Sequence, residues 1–195
     1  MRFALLLGAS LLAAPSAFAA MSSPSAMTYP TSPTYPPDVN QMYGAPNVSA
    51  IPRQTVSYYG PYAPGTIIVS TSERRLYFVL PDHEALKYGV GVGRPGFTWG
   101  GALHVSMKRE WPDWTPPAAM LRRIPSLPRH MKGGIGNPLG ARALYLGSSE
   151  YRIHGSNEPE TIGTAVSSGC IRMTNDDVKD LYERVNVGAK VIVQD

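Results

Sequence analysis

Residues 151–173 read Tyr151-Arg-Ile-His154-Gly-Ser-Asn-Glu-Pro-Glu-Thr-Ile-Gly-Thr-Ala-Val-Ser167-Ser168-Gly169-Cys170-Ile-Arg172-Met173, and the stretch holds the only cysteine of the chain. Tyr151–His154 reads as a strand, paired through Gly147-Ser148-Ser149 with Ala143–Leu146, so that His154 stands at a strand end. Ser167–Cys170 reads as a tight turn whose glycine lets the backbone come close to a substrate. A cysteine attacks as its thiolate, and a neighbouring imidazole can take the proton or hold it in an ion pair. The amides of Gly169 and Cys170 would then face the oxyanion of an acyl intermediate. Spacing alone leaves open whether His154 and Cys170 meet. The count alone leaves Cys170 open between a reactive thiol and a buried, inert one.

Working outward, the chain has 195 residues and 43% hydrophobic content, enough for one globular domain. Gly and Pro stand at 19 each and charged residues make up only 16%, so strands and turns rather than long helices carry the fold. The mean hydropathy of −0.14 excludes a polytopic membrane protein. A net charge of +4 without any Lys/Arg block gives no support to nucleic-acid binding. A single cysteine excludes an intramolecular disulfide and a multi-cysteine zinc site. His83, His104 and His130 lack paired metal spacing, so no metal and no other cofactor is expected.

Residues 1–19 have the anatomy of a secretory signal peptide: Arg2, an apolar stretch from Phe3 to Ala14, and Ala17-Phe18-Ala19 as the small-x-small cleavage site. The apolar run is far short of the roughly 20 residues a membrane-spanning helix needs. Export to the periplasm or cell envelope is therefore expected, with no stable membrane span after cleavage. A lone thiol sent to an oxidising space is exposed to oxidation, which favours a function for Cys170. Residues 20–64, rich in Pro, Ser and Tyr, read as a disordered tether, and residues 65–195 as the globular domain.

Within that domain, 66–70 and 75–80 predict a hairpin, 87–93 a third strand with glycine bends and 103–107 a fourth. Residues 110–140, with Trp111-Pro112-Asp113-Trp114 and Pro116-Pro117, read as a long irregular segment of the kind that walls a site. Thr174-Asn175-Asp176-Asp177 is a variant capping box opening the one convincing helix, with Val178, Leu181, Tyr182 and Val185 at helical spacing. Ala189–Val193 closes the chain as a strand. The class is mainly β.

His154-Gly155-Ser156, Ile162-Gly163 and Ser167-Ser-Gly-Cys-Ile-Arg-Met173 resemble the signature of L,D-transpeptidases with a YkuD-type catalytic domain. Trp111–Pro117, Gly136-Asn-Pro-Leu-Gly140 and the Asp177–Val193 pattern resemble the ErfK/YbiS-like branch, so the likeness covers the chain from about Gly65 onward. The resemblance implies a β-sandwich or mixed-sheet domain with one helix after the catalytic cysteine. It implies Cys170 as the nucleophile toward the third-residue carbonyl of a peptidoglycan tetrapeptide stem, expelling D-Ala. His154 would be the base and later the acid, oriented by the Gly155 carbonyl, and Gly169 would serve the oxyanion hole. Arg172 would brace the catalytic turn or hold an anionic stem-peptide group, and Ser168 would line the substrate site. Peptidoglycan stem peptides are the implied partner, and an outer-membrane protein is one candidate acyl acceptor. Many members carry histidine where this chain has Ser168, and Thr-Pro where it reads Thr98-Trp99-Gly100. Hydrolysis with water as acceptor, a non-catalytic peptidoglycan-binding module and a cysteine protease of unrelated fold are the competing readings; the last lacks a C-G-S-C-type signature.

Overall fold

A computed structural model describes residues 49–195. Its strands are β1 (Gln54–Ser57), β2 (Ile67–Ser70), β3 (Arg75–Val79), β4 (Glu84–Gly89), β5 (Val92–Gly93), β6 (Gly101–Glu110), β7 (Arg142–Leu146), β8 (Arg152–His154), β9 (Ala165–Ser167), β10 (Ile171–Arg172) and β11 (Lys190–Gln194). Two helices, α1 (Ala118–Arg123) and α2 (Asn175–Arg184), and a 3₁₀ turn at Pro159–Thr161 complete the elements. Nine strands form one mixed sheet in the order β1-β4-β3-β2-β11-β6-β7-β8-β10, and β5 pairs with β9 beside it.

The centre of this sheet is the end of the chain. The run Val191-Ile192-Val193 is β-branched and apolar throughout and buried, as suits a strand covered on both faces. β11 runs parallel to β2, with Val191 opposite Ile67, and antiparallel to β6, with Val191 opposite Leu103. It joins an N-terminal half, β1 to β4, to a C-terminal half, β6 to β10. Both expected hairpins form: Ile67 faces Phe78 across β2–β3, and Ala143 faces His154 across β7–β8. The core between sheet and α2 holds Ile67, Leu76, Tyr88, Leu144, Ile153, Ile171, Met173, Val178 and Leu181, all fully or nearly fully buried.

Three expectations are corrected. The folded part starts before residue 65: β1, inside the segment assigned to the tether, pairs antiparallel with β4. Arg53 then reaches α2, at 3.1 Å from Asp180 and 3.7 Å from Asp177. The 87–93 run is divided between β4 and β5, which belong to different sheets. The helix after Cys170 has a second, short companion, α1, inside the 110–140 segment. The segment expected to be a signal peptide, residues 1–19, and residues 20–48 lie outside the described residues. Among the described residues no helix is long and apolar enough to cross a membrane.

Candidate active site

β8 and β10 run parallel, with Ile171 opposite Ile153 and Arg172 opposite His154. Side chains alternate along a strand, so Ile153 and Ile171, both buried, face the core. His154 and Arg172 then share the other face, and continuing the register puts Arg152 and Cys170 there too. The core residues between them thus fix the pairing that sets thiol and imidazole on one side of the sheet.

His154 is 4% exposed, and its Nδ1 lies 2.5 Å from the carbonyl oxygen of Gly155. That carbonyl can only accept, so Nδ1 carries the proton and Nε2 keeps its lone pair. Burial drives the imidazole pKa down to about 3; the Gly155 carbonyl opposes this, and the positive charges of Arg172 and Arg152 add to it. The resting imidazole is neutral. Gly155 has no room for a side chain, because a Cβ there would run into Asn175 Oδ1, which accepts from the Ala141 amide at 2.8 Å. The start of α2 thus clamps the strand end that carries His154.

Cys170 is half-buried at the end of the Ser167–Cys170 turn. Its thiol donates to the Glu150 carbonyl at 3.8 Å. Burial pushes the thiol pKa up, while the Arg152 amide and guanidinium and the Arg172 charge pull the other way without overcoming it. Thiol and imidazole therefore both rest uncharged.

The turn before Cys170 is closed by Ser167. Its hydroxyl donates to the Cys170 carbonyl at 2.6 Å and accepts from the Gly169 amide at 3.1 Å. The sequence assigned that Gly169 amide to the oxyanion hole; in the structure it is engaged inside the turn. Gly169 itself is required, with φ of +110° and the Tyr151 ring 2.6 Å from where a Cβ would stand. Trp99 lies flat on Tyr151, ring centroids 4.3 Å apart, and donates from Nε1 to the Gly169 carbonyl at 2.7 Å. Arg172 pairs with Glu158 at 2.8 Å and bonds Thr161 at 3.5 Å, so its guanidinium braces the 158–161 turn.

A family model described as YkuD, L,D-transpeptidase catalytic domain, matches residues 64–193. The chain belongs to the YkuD-type L,D-transpeptidases. Probable L,D-transpeptidase ErfK/SrfK of Escherichia coli (strain K12) is 39% identical over 138 residues, 66% of this chain and 44% of that protein. Probable L,D-transpeptidase YcfS of the same strain is 37% identical over 158 residues, 75% of this chain and 48% of that protein. The chain spans about half the length of the curated relatives it matches. Among solved structures, a Brucella melitensis protein described as a probable carnitine operon oxidoreductase is 42% identical, with a TM-score of 0.52 over 75% of this chain and 96% of that one. An L,D-transpeptidase from Mycobacterium smegmatis shares the fold at 20% identity, with a TM-score of 0.54 over 67% of this chain and 58% of that one.

In this L,D-transpeptidase-family domain the sequence reading missed what surrounds the thiol. Trp99, stacked on Tyr151 and bonded to the Gly169 carbonyl, is a support for the Cys170 turn. Arg152, two residues from His154 on the same strand, is the cation acting most directly on Cys170. Its place on β8 is a signal that register alone could have supplied. Ser168, expected at the substrate, accepts from Arg94 and Arg123, neither of which was singled out. Among the described residues no group of three His, Cys, Asp or Glu comes together as a metal site.

Proposed function

We propose that the chain is an exported L,D-transpeptidase that acylates Cys170 with a peptidoglycan tetrapeptide stem and passes the acyl group to an amine. The observation that supports this reading is the β8–β10 register, which extended by one residue sets Cys170 on the face of His154, together with the proton of His154 held on Nδ1 by Gly155. That leaves Nε2 as a base in the resting state, as a reaction that starts from an uncharged thiol requires.

As the sulfur attacks the carbonyl carbon of the third residue, His154 Nε2 takes the thiol proton and the carbonyl oxygen becomes an oxyanion. With the Gly169 amide engaged by Ser167, the Cys170 amide is the turn's remaining candidate donor for that oxyanion. Collapse of the tetrahedral intermediate breaks the bond to D-Ala, and the Nε2 proton goes to the departing amine. The thioester is then attacked by an acceptor amine, His154 takes the amine's proton, and the proton returns to sulfur as the C–S bond breaks. Imidazole burial keeps the charged form short-lived, which suits a group that holds a proton only between two steps. An outer-membrane protein, a second stem peptide, a D-amino acid or water can serve as acceptor in the same step.

The test is incubation of the full chain with tetrapeptide muropeptides and an amine acceptor, followed by mass spectrometry of the products. D-Ala release and a new amide are expected from the natural chain, and neither from Cys170→Ala. If the natural chain releases no D-Ala and forms no product with diamine, amino-acid or protein acceptors, the reading fails. Tripeptide as the sole product with every acceptor reassigns the enzyme as a carboxypeptidase.

A further inference from the structure

Two arginines converge on the turn that carries Cys170. Arg94 follows β5, and its amide donates to the Ser167 carbonyl at 3.0 Å, which fixes its backbone beside the turn. Arg123 is the last residue of α1, inside the 110–140 segment, and reaches the turn from there. Arg94 Nη1 and Arg123 Nη2 donate to the same Ser168 hydroxyl oxygen, at 3.5 and 3.3 Å. Both guanidiniums also lie over one ring, that of Phe97, at 4.2 and 5.1 Å from its centroid.

Among the described residues neither arginine forms an ion pair, and a serine hydroxyl has no charge to set against two guanidiniums. Like charges gathered on one acceptor repel, and an anion placed between them turns that repulsion into attraction. Each guanidinium presents a planar fork of donors that fits a carboxylate with two parallel hydrogen bonds. Phe97 holds both forks near the turn through its ring face, so little ordering remains to be done on binding.

We infer that Arg94 and Arg123 form a carboxylate-binding subsite for the acyl-donor peptide. This rests on the transpeptidase reading above and extends it to substrate selection. Ser168 stands two residues before Cys170, and a peptide covers at most about 3.6 Å per residue, so the anion belongs to a group one or two residues from the scissile carbonyl. A stem tetrapeptide has carboxylates at that range: the C-terminal one of the leaving residue and, where the third residue is a diamino diacid, its side-chain one.

The experiment uses the full chain carrying Cys170→Ser, with tetrapeptide affinity measured by calorimetry at two salt concentrations. Adding Arg94→Gln and Arg123→Gln raises Kd about ten-fold or more and flattens its salt dependence. Both side chains reach solvent, and a thermal melt matching the parent shows that the fold is kept. Two further peptides separate the sources, one a C-terminal carboxamide and one amidated on the third side chain. The amidation that weakens binding to the arginine-bearing chain, and has no effect on the Gln pair, names the carboxylate. Equal Kd for the two chains, or an amidation penalty that survives in the Gln pair, overturns the subsite. D-Ala release by the chain with Cys170 intact is scored separately. Release without discrimination in Kd sinks the subsite alone; discrimination without release sinks the transpeptidase reading and leaves a peptide-carboxylate site.

Discussion

The proton on Nδ1 of His154 goes to a backbone carbonyl rather than to a carboxylate, and this sets the electrostatics of the site. A carbonyl orients the ring without offering a full negative charge to an imidazolium. With burial and two nearby arginines, the imidazole pKa falls from its ordinary 6.5 to about 3. The unfolded chain takes up that proton near pH 6.5 and the folded chain only near pH 3. Between those values the unfolded state binds more protons, so the stabilisation present above pH 6.5 is lost as pH falls through the window. Thermal melts of the natural chain are expected to drop between pH 6 and 4, and those of His154→Gln to drop less. Identical slopes would show that His154 is not the group concerned. At this scale the sequence was informative about the candidate residues, because His154-Gly155 and Ser167–Arg172 are contiguous stretches. It was silent on Ser167, whose hydroxyl looks the same in sequence whether it serves its own turn or a substrate. The same silence covers Arg94 and Arg123, brought together by a segment with no periodicity to read.

Among the elements, α2 shows how far local rules reach. Thr174 accepts from the Asp177 amide at 3.2 Å and donates to its carboxylate at 3.0 Å, the cap that the spacing of the two residues predicts. At the other end, Lys108 from β6 donates to the carbonyls of Tyr182 and Val185 at 2.6 and 2.7 Å, and so satisfies the last turn. Along the helix, burial alone would raise the Asp180 carboxyl. Bonds from Arg184 and Tyr88 and the charge of Arg53 outweigh it, so it titrates below the usual range. Thr174→Ala is expected to lower stability by about 1 kcal/mol in chemical denaturation. Because Asn175 clamps Ala141 and crowds Gly155, the same change is expected to reduce turnover more than that loss of folded protein explains. A stability change with no effect on turnover per folded molecule would show that the clamp does not reach His154. The short strands β9 and β10 escaped sequence reading because two or three residues are too few to show a period. β1 escaped because its Pro-rich surroundings read as tether. It is a strand because β4 presents an open edge and Arg53 anchors the segment to α2.

Over the whole molecule, β11 holds together two halves that the chain builds far apart in time. The N-terminal half supplies scaffold, with β1 and Arg53 tying the start of the fold to α2. The C-terminal half holds His154 at the end of β8 and Cys170 just before β10, next to the edge where the β5–β9 pair, Trp99 and the 110–140 segment gather around the Cys170 turn. Mainly-β class, both hairpins and the closing strand could be read from composition and patterning, since each is local. The position of β11 at the centre could not, because it depends on pairing between residues more than a hundred positions apart. What the architecture delivers is a half-buried thiol, uncharged at rest, on the same face of the paired strands as a buried, neutral imidazole. That arrangement is tested most directly by intact-mass spectrometry of the full chain after brief exposure to a tetrapeptide stem. The expected result is a covalent adduct equal to the peptide less its terminal D-Ala, located by digestion to the peptide bearing Cys170 and absent from a Cys170→Ala chain with an unchanged melt. D-Ala release with no adduct at Cys170, or an adduct on another residue, would contradict the account.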